Sequence, residues 1–269
     1  MTPASVIATT TPTDIGWTGL AASAVLIALA VGLSIWQGLR VERSVLWAAA
    51  RAAVQLIVVG SALAFVFDSS MSTWLAFVWV AAMVVVASIT VRHRAPEVPA
   101  AFGLALVANG TVSIVSLSVI FGLRIFPLQA PAIISLSGMV VGNTMAATIS
   151  VSRRVIGELR DKRAEVEARL ALGQSWNDAS RPYVRNAMRT ALLPQIESTK
   201  VVGLIALPGA MTGLILAGVE PRQAVLVQVA VMYLILGSVT TGVTVIALGL
   251  TRRLFTADHR LVRLERAAG

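Results

Sequence analysis

Seven apolar stretches without an acidic residue, a histidine or a cysteine run through this chain, and they constrain its fold more than any other feature. They cover Trp17 to Gly38, Val45 to Phe67, Trp74 to Val91, Ala101 to Phe121, Pro131 to Val151, Val201 to Val219, and Ala224 to Leu250. Each approaches the roughly 20 helical residues that cross a bilayer core. Of 269 residues, 57% are hydrophobic and 13% are charged, with a mean hydropathy of +0.81. A soluble domain averages about 45–50% apolar and about 25% charged residues. A soluble enzyme and a disordered chain are both excluded. The expected class is all-α: a polytopic membrane protein with about seven transmembrane helices and one helical cytoplasmic loop. Residues 1–269 read as one transmembrane domain, with spans one to five over 17–151, the loop over 152–200, spans six and seven over 201–250 and a tail over 251–269.

The basic residues orient it. Nineteen of the 22 lie in alternate connecting segments: Arg40 and Arg43, Arg92 and Arg94, ten between Ser152 and Lys200, and five in the C-terminal tail. Two, Arg124 and Arg222, lie in the other set, and Arg51 lies inside the second stretch. Cytoplasmic loops are rich in Lys and Arg. This predicts a multi-pass protein of the plasma (inner) membrane, with its N-terminus outside and its C-terminus cytoplasmic. The +9 net charge is thus a topological signal and gives no reason to expect nucleic acid. The N-terminus lacks a basic n-region and does not read as a signal peptide. No whole-chain repeat is evident. The chain has no Cys, so disulfides and thiolate metal sites are excluded.

The region from Ser152 to Lys200 is too charged to span and too patterned to be disordered. Val155, Ile156, Leu159, Val166 and Leu170 approximate one helical stripe. Gly173 is placed to end that helix, and Ser175 with Asp178 resembles a cap opening a second. Pro194 is expected to precede a third helical stretch. The run Glu167, Ala168, Arg169, Leu170, Ala171, Leu172, Gly173 resembles the EAA loop of ABC importer permeases, with Glu and Gly at its spacing. Arg169 stands where that motif has Ala, and Leu193-Pro194 lies farther from the glycine. The resemblance implies a helix–turn–helix knob fitting a groove on an ATPase, carried by Glu167, Ala168, Leu170, Ala171, Gly173 and Ser175. An amphipathic helix lying on headgroups is the other reading.

The segment from Arg189 to Gln228 carries a more specific likeness. Ala191, Leu192, Pro194, Lys200, Gly203, Leu204, Leu207-Pro208-Gly209, Met211, Gly213, Gly218, Pro221, Ala224 and Gln228 resemble the bacterial iron-export ABC permease family. That family includes plant permeases linked to aluminium tolerance. Arg51 to Ile57 with Gly60, and Gly138-Met139 with Gly142-Asn143 and Met145, agree with it. The resemblance covers nearly the whole chain. It implies the permease subunit of an exporter of iron or another metal. Such a subunit is a homodimer in contact with lipid, and ATP and Mg bind a separate ATP-binding cassette subunit. The chain itself would be non-catalytic and without cofactor. It contains no G-x-x-x-x-G-K-[ST] phosphate loop. The alternatives are an ATP-independent channel or carrier, an ABC permease for a non-metal substrate such as a sugar nucleotide, and a non-transporting membrane anchor.

Polar residues at membrane depth are the candidates for a translocation path. They are Arg51 and Gln55 on one face of span two, Asn143 and Met145 in span five, Met211 in span six, and Gln228 in span seven. Each has a plainer reading: Arg51 as a snorkelling arginine, Asn143 and Gln228 as interhelical hydrogen bonds, the methionines as packing. Asn109 is a weaker candidate of the same kind. Gly138 with Gly142, and Gly209 with Gly213, have the small-xxx-small spacing of close helix approach, within one subunit or at a dimer seam. Pro208 is expected to make a simple kink in span six. No metal cage is apparent: methionine suits copper(I) better than iron.

Overall fold

In a computed structural model, residues 17–68, 72–205, 207–256, 258 and 260–262 are described. Among them the fold is helical throughout, with one isolated antiparallel pairing between Phe255 and Leu261. The chain divides into two compact units, 1–69 and 70–269.

The first unit pairs α1 (Trp17–Gln37) with α2 (Glu42–Asp68). Gly38 turns the chain at φ 63°. The buried Ser34 hydroxyl donates to Glu42 Oε1 at 2.9 Å, tying the end of α1 to the start of α2.

The second unit is built on two long helices, α5 (Ala130–Asp161) and α9 (Pro221–Arg253), which pack against each other. At 32 and 33 residues they reach about 48–50 Å, longer than a bilayer core. Each opens with proline in its first turn, where the missing N–H has no helical partner to lose. α3 (Ser72–Arg94) and α4 (Ala101–Gly122) flank them. Side-chain register sets the directions. Ser116 of α4 meets Ser238 of α9 at 2.7 Å, and Gly249 of α9 faces Leu104 of α4. α4 and α9 therefore run antiparallel.

Five described helices are long and apolar enough to cross a membrane: α2, α3, α4, α5 and α9, with Ala22–Gln37 of α1 a shorter apolar one. Spans one to five and seven coincide with helices to within a few residues at most ends. The fifth instead continues to Asp161, because Val155, Ile156 and Leu159 extend its buried stripe beyond the apolar segment.

The region after it is ordered differently from the sequence expectation. The stripe from Val155 to Leu170 is divided at Lys162 into the end of α5 and a separate α6 (Arg163–Ala171). α7 (Trp176–Val201) then runs unbroken through Pro182 and Pro194, so no third helix begins after Pro194. Ala179, Tyr183, Val184, Ala187 and Ala191 bury one face of α7 against α5 and α9. That packing outweighs the roughly 3 kcal/mol an interior proline costs. The same face continues the main apolar core down to Leu254, Phe255 and Leu261.

The sixth apolar stretch is broken. Among its described residues, 202–208 lie outside the helices, and α8 (Gly209–Leu216) has only eight residues, about 12 Å. The expected kink at Pro208 is a break: Gly203 sits at φ 86° and Pro208 is the extended N-cap of α8. Proline lacks an N–H and disfavours helix in the residue before it, and here, unlike in α7, no buried face offsets that cost: α8 has no buried residue. α7 makes up the missing length. Its last turn reaches Thr199, which shares a cavity with Gln228 to Tyr233 on α9. Those residues lie well N-terminal of Ser238, so the Glu197–Lys200 ion pair at 2.8 Å stands beside the spans.

Candidate functional sites: a knob and a cavity

Two places bring the predicted residues together. The first is the turn between α6 and α7. Gly173 takes φ 85°, a conformation glycine adopts freely. Its N–H donates to Leu170 O at 2.9 Å and the Gln174 N–H to Arg169 O at 3.1 Å, the paired bonds of a Schellman turn. Ser175 caps α7: its Oγ accepts from the Asp178 N–H at 3.2 Å and donates to Asp178 Oδ2 at 2.7 Å. Glu167, Ala168, Ala171, Gly173 and Ser175 are exposed, and Leu172 at the tip is 83% exposed. Leu170 is the exception, packing inward on the core.

Polar contacts hold this turn on the body. Tyr183 is buried and its phenol donates to Glu165 Oε2 at 2.9 Å, while Lys162 Nζ donates to Glu165 Oε1 at 2.7 Å. The hydrogen bond from Lys162, then that from Tyr183, holds the Glu165 carboxyl below its usual range. The same hydrogen bond holds Lys162 above its own range. Burial, then the bond to Glu165, pushes the Tyr183 phenol up. The Arg169 guanidinium lies 5.8 Å from the Tyr183 ring centroid, and Trp176 meets Phe255 at 5.9 Å. Arg163 bonds Glu167 at 2.6 Å and reaches the Leu261 carbonyl at 3.3 Å. The turn is therefore presented rigidly, with its apolar tip outward.

The second place is the cavity of about 360 Å3 beside the break. Met211 of α8 and Gln228 of α9 both line it, with Thr199, Pro208, Met232 and Tyr233. Gln228 is buried and, among the described residues, its Oε1 has no hydrogen-bond partner. Met232 lies one turn beyond Gln228, a spacing visible in the sequence that the reading did not use.

The other path candidates lie elsewhere. Asn143 is exposed and its Nδ2 donates back to Met139 O at 2.8 Å on its own helix. Met145 packs with Met83 beside Val84, Ala87 and Val141. Arg51 and Gln55 are exposed, one turn apart, on α2 of the first unit. Asn109 is buried, with its Nδ2 donating to Ala105 O at 3.0 Å. Among the described residues, no three acidic, histidine or cysteine side chains gather as a metal site. His259 lies outside the described residues.

The small-residue pairs do not pack this chain closely. A Cβ on Gly142, Gly209 or Gly213 would meet nothing within 4 Å, and one on Gly138 would touch Met83 at an ordinary 3.7 Å. Close approach occurs at Gly242 of α9, where a Cβ would stand 2.4 Å from Thr144 Cγ2 of α5. Ser238 and Gly242 have the same small-xxx-small spacing, so the signal was present.

Residues 17–255 match the family described as "Uncharacterised protein family (UPF0014)". UPF0014 membrane protein STAR2 of Oryza sativa subsp. japonica is 38% identical over 221 residues, spanning 82% of this chain and 77% of its own. Protein ALUMINUM SENSITIVE 3 of Arabidopsis thaliana is 35% identical over 225 residues, 82% of this chain and 81% of its own. Probable iron export permease protein FetB of Escherichia coli (strain K12) is 31% identical over 253 residues, 90% of this chain and 93% of its own. No solved structure matches the chain. Matched by the family over its helices from α1 to the end of α9, the chain is a multi-pass membrane protein of the UPF0014 family.

Proposed function

We propose that this chain is the permease subunit of an ABC transporter that exports iron or another metal, energised by a separate ATP-binding subunit carrying ATP and Mg. The observation that carries the reading is the α6–α7 knob: a capped, glycine-turned helical pair held firmly on the spans, with Leu172 at its exposed tip. The iron-export name of one relative supports permease and metal as the class. In this reading the subunit is a non-catalytic homodimer in the plasma (inner) membrane. The α6–α7 turn and the C-terminus face the cytoplasm, where most of the basic residues lie. Glycines 142, 209 and 213, where an added Cβ would meet no described residue within 4 Å, are then available to a second copy.

The test is to purify the chain with the ATP-binding subunit encoded beside it and measure co-elution and ATPase activity. Co-elution is expected, and Leu172→Asp is expected to weaken it by about tenfold, since burying a charge in an apolar contact costs more than 1.4 kcal/mol. Metal flux into liposomes from this chain alone, indifferent to the ATPase and to the knob, would sink the reading.

A further inference from the structure

The cavity at the broken sixth stretch has a composition suited to one class of ligand. No charged residue lines it; its heteroatom-bearing side chains are those of Met211, Met232, Gln228, Thr199 and Tyr233. Gln228 is 5% exposed, and its Oε1 is buried without a partner among the described residues. The Thr199 hydroxyl already donates to Gln195 O at 2.8 Å and so presents its lone pairs. The break adds backbone that is not helical at 202–205 and 207–208, and irregular backbone at membrane depth is tolerated where it lines a cavity. At about 360 Å3 the space accommodates an ion that keeps part of its hydration or a small ligand.

We infer that this cavity is the cargo site and that it takes a soft, low-charge metal cation, with Met211 and Met232 as its ligands. The reasoning is electrostatic. A wall with no carboxylate cannot offset the dehydration of a trivalent ion, whereas thioethers select soft cations such as Cu(I) and Ag(I). Fe(II), a borderline ion, ranks below them, and Al(III) is excluded. The inference deepens the metal-export reading and rests on it for the word cargo. The binding site itself does not depend on an ATPase.

The experiment uses the purified full-length chain in detergent, titrated anaerobically with Ag(I), Fe(II) and Al(III) in separate runs. One Ag(I) per chain is expected at this site, with Fe(II) weaker and Al(III) absent. The double variant Met211→Leu, Met232→Leu preserves volume and is expected to weaken Ag(I) by at least about tenfold. Gln228→Leu is expected to weaken it less. Met83→Leu with Met145→Leu removes the other methionine pair and is expected to change nothing at this site. Unaltered melting temperatures of the leucine variants show that they fold. Ag(I) binding lost only in the Met83/Met145 variant, unchanged in the Met211/Met232 variant, or weaker than Al(III) binding overturns the assignment. The co-elution experiment is separate: a complex that forms with an intact ATPase while this site binds nothing removes the site and leaves the permease reading standing.

Discussion

Gly242 is the residue at which the two longest helices depend on having no side chain. With Thr144 Cγ2 2.4 Å from where its Cβ would be, Gly242→Ala is expected to cost about 1–3 kcal/mol from overpacking. Thermal unfolding in detergent checks this, and Thr144→Ser, which removes the clashing methyl, is expected to restore much of the loss. Gly142→Ala, with open space around it, is expected to leave the monomer's stability within about 0.5 kcal/mol. Asn143 and Gln228 show what single positions in a sequence conceal. Both are lone amides in apolar helices, yet Asn143 spends its donor on its own backbone at an exposed position, while Gln228 is buried in the wall of a cavity. Only the direction of the side chain separates them, and helical periodicity assigns that direction only when the neighbouring helices are known.

At the scale of elements, the α6–α7 turn was largely readable. Gly173, Ser175 and Asp178 act locally, through a positive φ and a cap, and local chemistry is written in adjacent residues. Ser175→Ala is expected to cost about 1 kcal/mol, seen as faster amide exchange in the first turn of α7. The Lys162–Glu165–Tyr183 contacts give the turn a pH dependence. Because Glu165 titrates lower in the folded chain, its contribution is complete above the usual carboxylate range and fades as pH falls through its depressed value. Lys162 works oppositely: its contribution is present below its usual value and lost as pH rises through the raised one. Protease cleavage near Gly173 is therefore expected to rise at both extremes, with Tyr183→Phe narrowing the protected window on the acid side. The helix ends that were misplaced have a common cause. α7 passes Pro194 and α5 divides from α6 at Lys162 because tertiary burial of Val155, Leu159, Val166 and Ala191 decides what continues. Propensity alone argued otherwise.

For the whole molecule, apolar length and charge asymmetry were sufficient for the class, because the cost of exposing polar backbone or charge to lipid leaves a chain so few options. Replacing the break with a continuous helix, for example Gly203→Ala with Pro208→Ala, is expected to preserve membrane insertion and to abolish the cavity's metal binding. Insertion is read by alkali-resistant membrane association, binding by the titration above. The sequence by itself determined a bundle of membrane-crossing helices, their approximate limits, and a helical knob with a glycine turn, since each follows from local hydropathy or local backbone chemistry. The tertiary structure alone decided that the sixth stretch is a broken element completed by the polar α7, that α5 and α9 close at Gly242, and that Met211, Met232 and Gln228 face one space. Those outcomes depend on which faces of distant helices meet, and no local signal carries that information.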